Sequence, residues 1–379
     1  MKIVFTGGGT GGHFYPIIAI AEKLKEVVKE RTIIEPELYF FAPNVFDERA
    51  LFEHGITFVP TTAGKLRRYF SLLNVIDVFK TAIGIVQTAW KLYKVYPDVV
   101  FSKGGYGSIP TVLAARFLKI PLIIHDSDAV PGRSTLMAAK QAEKIAIAFE
   151  GAAEYFPEKT RDKIALTGNP VRQEIATPAK EGAHEFLELE NNVPVILILG
   201  GSQGSEKINE TILSALPDLV AKYQVIHQTG QANFAGVSET AKIILEKNER
   251  RYRYKPFEFL SPIALKMAAG AADIIVSRAG SGGISEIALW GRASIIIPLA
   301  GSAQDHQRLN AFAYAHAGAC TVIEEKNFAP HLLVSEIDRL FTNPKARTDM
   351  AEAAKRFGKP NAARTLAETI VDTALEHET

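Results

Sequence analysis

His13 and the glycines before it are the first residues arranged for chemistry. The string Gly7-Gly8-Gly9-Thr10-Gly11-Gly12 has glycine at five of its six positions, and His13 closes it. Upstream, Met1 to Thr6 has the character of a buried strand. Downstream, Phe14 to Lys29 reads as a helix with Ile17, Ile18, Ala21, Leu24, Val27 and Val28 on one side. A strand, a glycine turn and a helix N-terminus make a preformed anion site, because bare backbone N–H groups converge there and the helix dipole adds positive charge. Glycine leaves room for the tight turn and for a ligand's close approach. At the mouth of this loop a largely neutral imidazole suits a general base, its pKa lowered further by the helix N-terminus. The plainer roles for His13 are a helix cap or a phosphate hydrogen bond.

Three further glycine loops follow apolar runs: Lys103-Gly104-Gly105-Tyr106-Gly107-Ser108, Gly200-Gly201-Ser202-Gln203-Gly204-Ser205 and Arg278-Ala279-Gly280-Ser281-Gly282-Gly283. Ser202, at a helix start, can offer backbone and hydroxyl donors to a phosphate. Glu286 falls about one turn inside the helix opened by Ser281, where a carboxylate can grip two vicinal ribose hydroxyls or simply complement the dipole. Asp305-His306-Gln307 and Asn310 offer amides to sugar hydroxyls. Gly7, Gly9 and Gly12 satisfy G-x-G-x-x-G, so a dinucleotide fold is a rival, but the acid it needs after the second strand is missing: that strand ends Ala42-Pro43-Asn44. No loop continues into Gly-Lys-Ser/Thr, so there is no Walker loop.

Strands are expected at Leu38–Ala42, Thr57–Val59, Asp98–Ser102 and Pro121–His125, with a helix at Val45–His54 and another through Leu113 to Leu118. Gly168-Asn169-Pro170-Val171-Arg172 interrupts the alternation. It resumes with strands at Pro194–Leu199, Gln224–His227, Tyr252–Phe257, Asp273–Ser277 and Ala293–Ile297, a helix at Glu206–Leu216, and a last helix at Ala362–His377. Strands alternating with helices imply parallel sheets covered on both faces. The expected organisation is two doubly wound α/β domains: 1–167, rejoined by a C-terminal helix at 360–379, and 168–359. In such sheets ligands bind at the carboxyl ends of the strands. The chain has 379 residues, a formal net charge of +1 and one cysteine, Cys320. That balance argues against a general nucleic-acid binder, and a lone cysteine fits a reducing cytosol. The N-terminal apolar run is too short for a secretory signal, so a soluble or peripheral cytoplasmic protein is expected.

Together these strings resemble one family, the MurG transferases, N-acetylglucosaminyltransferases that complete lipid II in peptidoglycan synthesis. The likeness is carried by Gly8 to His13, Gly104 to Ser108, Gly168 to Arg172, Gly200 to Gly204, Ser285-Glu286-Ile287, and Gln307 with Asn310. It spans nearly the whole chain in one order. It implies a GT-B glycosyltransferase, with two Rossmann-like domains facing across a cleft and no cofactor or metal. UDP-N-acetylglucosamine is implied mainly on the second domain, and lipid I on the first, its diphosphate near Gly104, Gly105, Tyr106 and Ser108. Carried over by motif, Thr10, Gly11 and Gly12 lie near the donor sugar and the acceptor diphosphate, and Arg172 and Ser202 address the donor diphosphate. Leu260 meets the uracil through its backbone. Ser281, Gly282, Gly283, Ile284 and Ser285 line the sugar and diphosphate, Glu286 takes the ribose, and Gln307, with Asn310 beside it, takes the sugar hydroxyls. The mechanism expected for such a transfer is single-step inversion, with His13 the best-placed base by its position at the mouth of the first glycine loop. One departure concerns 128, a donor contact that is asparagine in the family pattern and Asp128 here, which accepts but cannot donate while ionised. Asp126 and Asp128 are rival bases, and their Asp-x-Asp spacing could hold magnesium. The alternatives are a related enzyme with another lipid or sugar acceptor, a non-catalytic sugar-nucleotide-binding module, and an NAD-dependent oxidoreductase.

Between Lys65 and Tyr96 six basic residues, among them Arg67 and Arg68, stand against Asp77 alone. The helix expected there carries two apolar stripes, one with Phe79, Ile83, Val86, Trp90 and Tyr93, the other with Ala82, Ile85, Ala89 and Leu92. One can pack on the sheet. The second, with its aromatic residues and basic flanks, suits an anionic membrane surface.

Overall fold

In the computed structural model, which describes residues 1–8, 11–64, 72–201 and 203–378, the chain divides into two compact units. One is Met1–Arg172 together with the segment from Asn361; the other is Gln173–Pro360. Thr10, Arg67, Arg68 and Ser202 lie outside the described residues.

The first unit is built on β1 (Lys2–Thr6), β2 (Glu37–Ala42), β3 (Ile56–Pro60), β4 (Val99–Ser102), β5 (Leu122–Asp126), β6 (Lys144–Ile147) and β7 (Ile164–Leu166). These form one sheet in the order β3-β2-β1-β4-β5-β6-β7, every pair parallel. Successive side chains point to opposite faces. Ile3, Phe5, Phe40 and Phe101 therefore pack with the helices Gly11–Glu30 and Ala362–Glu378. Val4, Phe41, Val100 and Ile124 pack on the other side, with Leu92 of the helix Leu72–Val95 and Val112 of the helix Ile109–Phe117. Burial on both faces is why these strands read as continuous apolar runs.

The second unit holds β8 (Val195–Leu199), β9 (Gln224–Gln228), β10 (Tyr254–Phe257), β11 (Ile274–Arg278), β12 (Ala293–Ile297) and β13 (Thr321–Val322). Their order is β10-β9-β8-β11-β12-β13, again all parallel. In both sheets the strand order reverses beside the first strand of the unit, between β1 and β4 and between β8 and β11. The carboxyl edge at such a switch point is an open crevice, because successive connections leave to opposite sides.

Several boundaries differ from the expectations. The first helix begins at Gly11 rather than Phe14, so Gly11, Gly12 and His13 form its first turn. The helix expected at Val45–His54 is only Glu48–Glu53, capped by the side chain of Asp47, which accepts from the amide of Ala50. β6, β7 and β13 were not among the expected strands. They are two to four residues long and are held by the ladder beside them rather than by a pattern of their own.

Candidate active site

At the β1/β4 switch point, two glycine loops meet. Gly104 and Gly105 adopt φ of +78° and +83°, which favours glycine. A Cβ on Gly105 would stand 2.8 Å from the Cα of Gly8, so the two backbones touch without an intervening side chain. The His13 ring is at the same place: its Nδ1 lies 3.5 Å from where a Cβ on Gly8 would sit, and its Nε2 lies 3.7 Å from the corresponding point on Gly105. Among the described residues, apart from Gly12's chain neighbours and its own helix backbone, nothing stands within 4 Å of a Cβ built on Gly12. The structure thus brings together His13, Gly11, Gly12, Gly104 and Gly105. The amide of Gly105 donates to the Ser134 hydroxyl at 3.0 Å. Ser108, buried in the turn with Tyr106, donates its hydroxyl to the carbonyl of Gly105 at 2.8 Å and so shapes the loop from below.

Beside these loops, β5 ends in His125-Asp126-Ser127-Asp128. Asp126 is buried and accepts from the amides of Asp128 at 3.0 Å and Gly132 at 3.1 Å. Burial, and the neighbouring Asp128, push its carboxyl above the ordinary carboxylate range. Asp126 therefore holds a turn, with its oxygens committed to backbone donors. Among the described residues no group of three or more His, Cys, Asp and Glu is arranged to hold a metal ion. Arg172, the last residue of this unit's main segment, lays its guanidinium over the Tyr15 ring, 4.2 Å from the centroid.

Under the same loops lies a cluster that the residue types did not disclose. Lys103 is buried, and its ammonium donates to His125 Nδ1 at 2.8 Å, to Asn169 Oδ1 at 3.2 Å and to the Ser127 hydroxyl. Burial depresses both Lys103 and His125 below their usual values, His125 well below.

The β8/β11 switch point carries the second set. Ser205 caps the helix Glu206–Lys222, accepting from the Ile208 amide at 3.2 Å. Gly204 has φ of +78°, and a Cβ there would meet the Thr229 carbonyl oxygen at 2.1 Å. Ser281, Gly282 and Gly283 open the helix Ser281–Trp290 beside this loop, half-buried, with Glu286 half-buried in its second turn. Ser285 donates back to the Ser281 carbonyl at 2.8 Å. Ile284 is fully buried, so only its backbone faces the loop side. Leu260 is buried too, and its amide donates to Gln228 Oε1 at 3.0 Å. Gln307 accepts the Leu299 amide at 2.9 Å through its carboxamide oxygen. Asn310 is fully buried and donates to the Ala279 carbonyl at 3.3 Å, which braces the glycine turn from beneath.

Two residues here were also missed from the sequence. Gln228 ties Leu260 to the Gly201 carbonyl, its amide donating at 3.3 Å. Arg278 donates to Ser205 Oγ at 2.6 Å and pairs with Glu325 at 2.7 Å, and Glu325 accepts the Ala300 amide at 2.8 Å. The signal that could have found them is shared with Lys103: each is a long polar residue at or just past the carboxyl end of a buried strand.

The chain matches the glycosyltransferase family 28 N-terminal domain over residues 3–147 and the glycosyltransferase family 28 C-terminal domain over residues 195–366. A UDP-N-acetylglucosamine–N-acetylmuramyl-(pentapeptide) pyrophosphoryl-undecaprenol N-acetylglucosamine transferase from Halothermothrix orenii is 36% identical over 377 residues, covering 99% of each chain. One of the same name from Treponema denticola is 36% identical over 347 residues, 88% of this chain and 86% of that one. Among solved structures, Acinetobacter baumannii MurG aligns over 98% of this chain and 99% of its own with TM-score 0.72 at 23% identity. A UDP-GlcNAc 2-epimerase from Neisseria meningitidis, bound to UDP-GlcNAc, aligns over 98% of this chain and all of its own with TM-score 0.68 at 16% identity. These likenesses give both parallel sheets the GT-B fold. The chain belongs to glycosyltransferase family 28, and within it to the MurG transferases.

Proposed function

We propose that His13 is the general base of this transferase and that the two switch-point loops bind its two diphosphates. The reaction is transfer of N-acetylglucosamine from UDP-N-acetylglucosamine to lipid I, giving lipid II. The muramyl 4-hydroxyl attacks the anomeric carbon as the bond from that carbon to the UDP oxygen breaks. The hydroxyl proton passes to His13, UDP departs, and the anomeric configuration inverts. The observation that carries the reading is the imidazole of His13 at the meeting point of Gly8 and Gly105, where a base stands beside two glycine loops suited to anions.

In the second unit, the helix beginning at Ser281 and the one capped by Ser205 direct backbone donors toward the crevice, which supports binding of the departing diphosphate there. Glu286 is suited to the ribose hydroxyls, Leu260 to the uracil, and Gln307 to the sugar. Thr10 and Ser202 belong to the same reading through the family motifs. Arg172 supplies a cation whose orientation is set by Tyr15.

Attachment to an anionic membrane surface, on the cytoplasmic face, is part of the proposal. Among the described residues no helix is long and apolar enough to cross a membrane. Instead, Phe79, Ile83, Val86, Trp90 and Tyr93 are exposed along one face of the helix Leu72–Val95, while Leu92 is buried. Lys80 and Lys94 are exposed on that helix, Lys94 lying 5.1 Å from the Trp90 ring centroid. Arg116 and Phe117 extend the face, lining with Ile85, Val86, Ala89 and Leu113 an open groove of about 580 Å³.

The test is transfer from labelled UDP-N-acetylglucosamine to lipid I by the purified protein and by His13→Gln. Loss of a general base predicts a fall in kcat of about 10²- to 10⁴-fold and loss of the acidic limb of the pH profile. Near-normal turnover with unchanged pH dependence would remove His13 from this role.

A further inference from the structure

Lys103 opens the second glycine loop but has been given no role in the reaction, and it is a deeply buried charge, 2% exposed. Its backbone amide extends the β1/β4 ladder by donating to the Thr6 carbonyl at 2.8 Å, so it is the residue where strand becomes glycine loop. Its ammonium has three hydrogens and meets three acceptors: His125 Nδ1 at the end of β5, Ser127 Oγ just past it, and Asn169 Oδ1 after β7. The Ser127 hydroxyl also donates to Asn169 Oδ1, at 2.8 Å. Because Nδ1 of His125 accepts, its Nε2 carries the hydrogen and donates to the Gly168 carbonyl at 2.8 Å. One ammonium thus fixes a tautomer and joins three strand ends.

We propose that Lys103 is a positioning residue for the acceptor, locking the carboxyl ends of β4, β5 and β7 together so that the loop begun by Gly104 holds Gly105 against Gly8 in the shape that receives the lipid-linked diphosphate. This rests on the reading of the Gly104–Ser108 loop as the acceptor's site. A neutral amine has only two hydrogens, so deprotonation releases one of the three strand-end contacts and the loop loses its brace. The groups that face it are the neutral His125 and the carboxylates Asp126 and Asp128, whose charges favour the protonated form while burial opposes it and brings the pKa down to about 8. The sign of the linkage separates positioning from simple stability. The unfolded chain holds this proton more tightly than the folded one, so the group itself makes the fold more stable, not less, as pH rises from about 8 toward the ordinary lysine value. Activity that falls over the same range cannot then be ascribed to this group weakening the fold.

The experiment measures kcat/KM for lipid I and for UDP-N-acetylglucosamine separately, with melting temperature, from about pH 6.5 to about pH 9.5, which spans the depressed lysine value of about 8 and stays below the ordinary one. In the wild type, kcat/KM for lipid I falls above about pH 8 while the melting temperature does not fall with it. Lys103→Met lowers kcat/KM for lipid I by roughly 100-fold, the scale of an ångström's misplacement, leaves the donor's KM within about threefold, and abolishes the alkaline limb. Lys103→Met strands Nδ1 of His125, since Asn169 Oδ1 keeps the Ser127 hydroxyl; adding His125→Phe removes that acceptor, leaves the Gly168 carbonyl its Thr167 hydroxyl, and recovers melting temperature without recovering acceptor use. The proposal is overturned if Lys103→Met leaves acceptor kinetics intact, if both substrates suffer equally, or if the double variant regains activity along with stability. Gly105→Ala, which puts a methyl against Gly8, tests the underlying reading. If it spares lipid I kinetics, the assignment of the loop fails; if it impairs them while Lys103→Met does not, only the role of Lys103 fails.

Discussion

Both carboxylate oxygens of Asp126 are engaged by backbone amides, one by Asp128 and the other by Gly132. From the chain alone this residue was a rival base or half of a metal-binding pair, because Asp-x-Asp after a strand has that chemistry available. The structure instead makes it the clasp of the turn that carries Asp128. Asp126→Asn replaces one acceptor with an NH₂ facing an N–H, and is expected to cost about 1–3 kcal/mol in urea unfolding. An unchanged unfolding midpoint would mean the turn does not depend on it. Asp128 stands half-buried in that turn as a carboxylate where the family pattern has an amide. His13 differs in kind from both: it was legible because its place follows from local sequence, a titratable ring directly after a glycine turn.

The helix Leu72–Val95 shows the same contrast for a whole element. Two apolar stripes can be read from its sequence, but which of them is buried depends on what packs against it. Segment 61–64 lies so close that a Cβ on Gly84 would meet the Thr62 carbonyl oxygen at 1.8 Å, and one on Gly64 the Asp77 carbonyl oxygen at 2.1 Å. Gly64 also donates its amide to the Thr81 hydroxyl at 3.1 Å. That contact turns the helix so that Leu92 and Thr88 face inward and Phe79, Val86 and Trp90 face outward. Phe79→Glu with Trp90→Glu should abolish co-sedimentation with anionic vesicles while leaving melting temperature unchanged, since neither side chain is in the core. Each basic residue near such a surface contributes about 1 kcal/mol, so raised salt should weaken binding of the wild type as well. Binding indifferent to lipid charge and to these changes would refute the membrane role.

For the whole molecule, folding stability carries a pH signature from the second unit. His227 is fully buried on β9, its Nδ1 2.9 Å from the Tyr254 hydroxyl, and burial depresses its pKa to about 3. The unfolded chain therefore takes up the proton first, so stability is fully present above the ordinary histidine pKa and is lost as pH falls below it. By pH 5 this amounts to about 2 kcal/mol, measurable by urea unfolding at pH 7 and pH 5. His227→Phe should flatten that dependence; the same slope in the variant would assign the loss to other groups, with His125 the next to examine. Asp126 acts in the opposite sense, since a raised carboxyl pKa favours the fold on protonation.

The sequence alone determined the parallel α/β class, the four glycine loops at strand ends and the family, because those features depend on neighbours in the chain: apolar runs flanked by turns, and backbone conformations that favour glycine at Gly104, Gly105, Gly201 and Gly204. Only the tertiary structure decided what Lys103, Gln228, Arg278 and Asn310 do. Each is a polar side chain whose burial is tolerable solely because acceptors from distant segments reach it, His125 and Asn169 for Lys103, Gly201 for Gln228, Ser205 and Glu325 for Arg278, Ala279 for Asn310. A buried donor must find its partner wherever the fold brings one. No periodicity within a strand or a loop records which segment that will be.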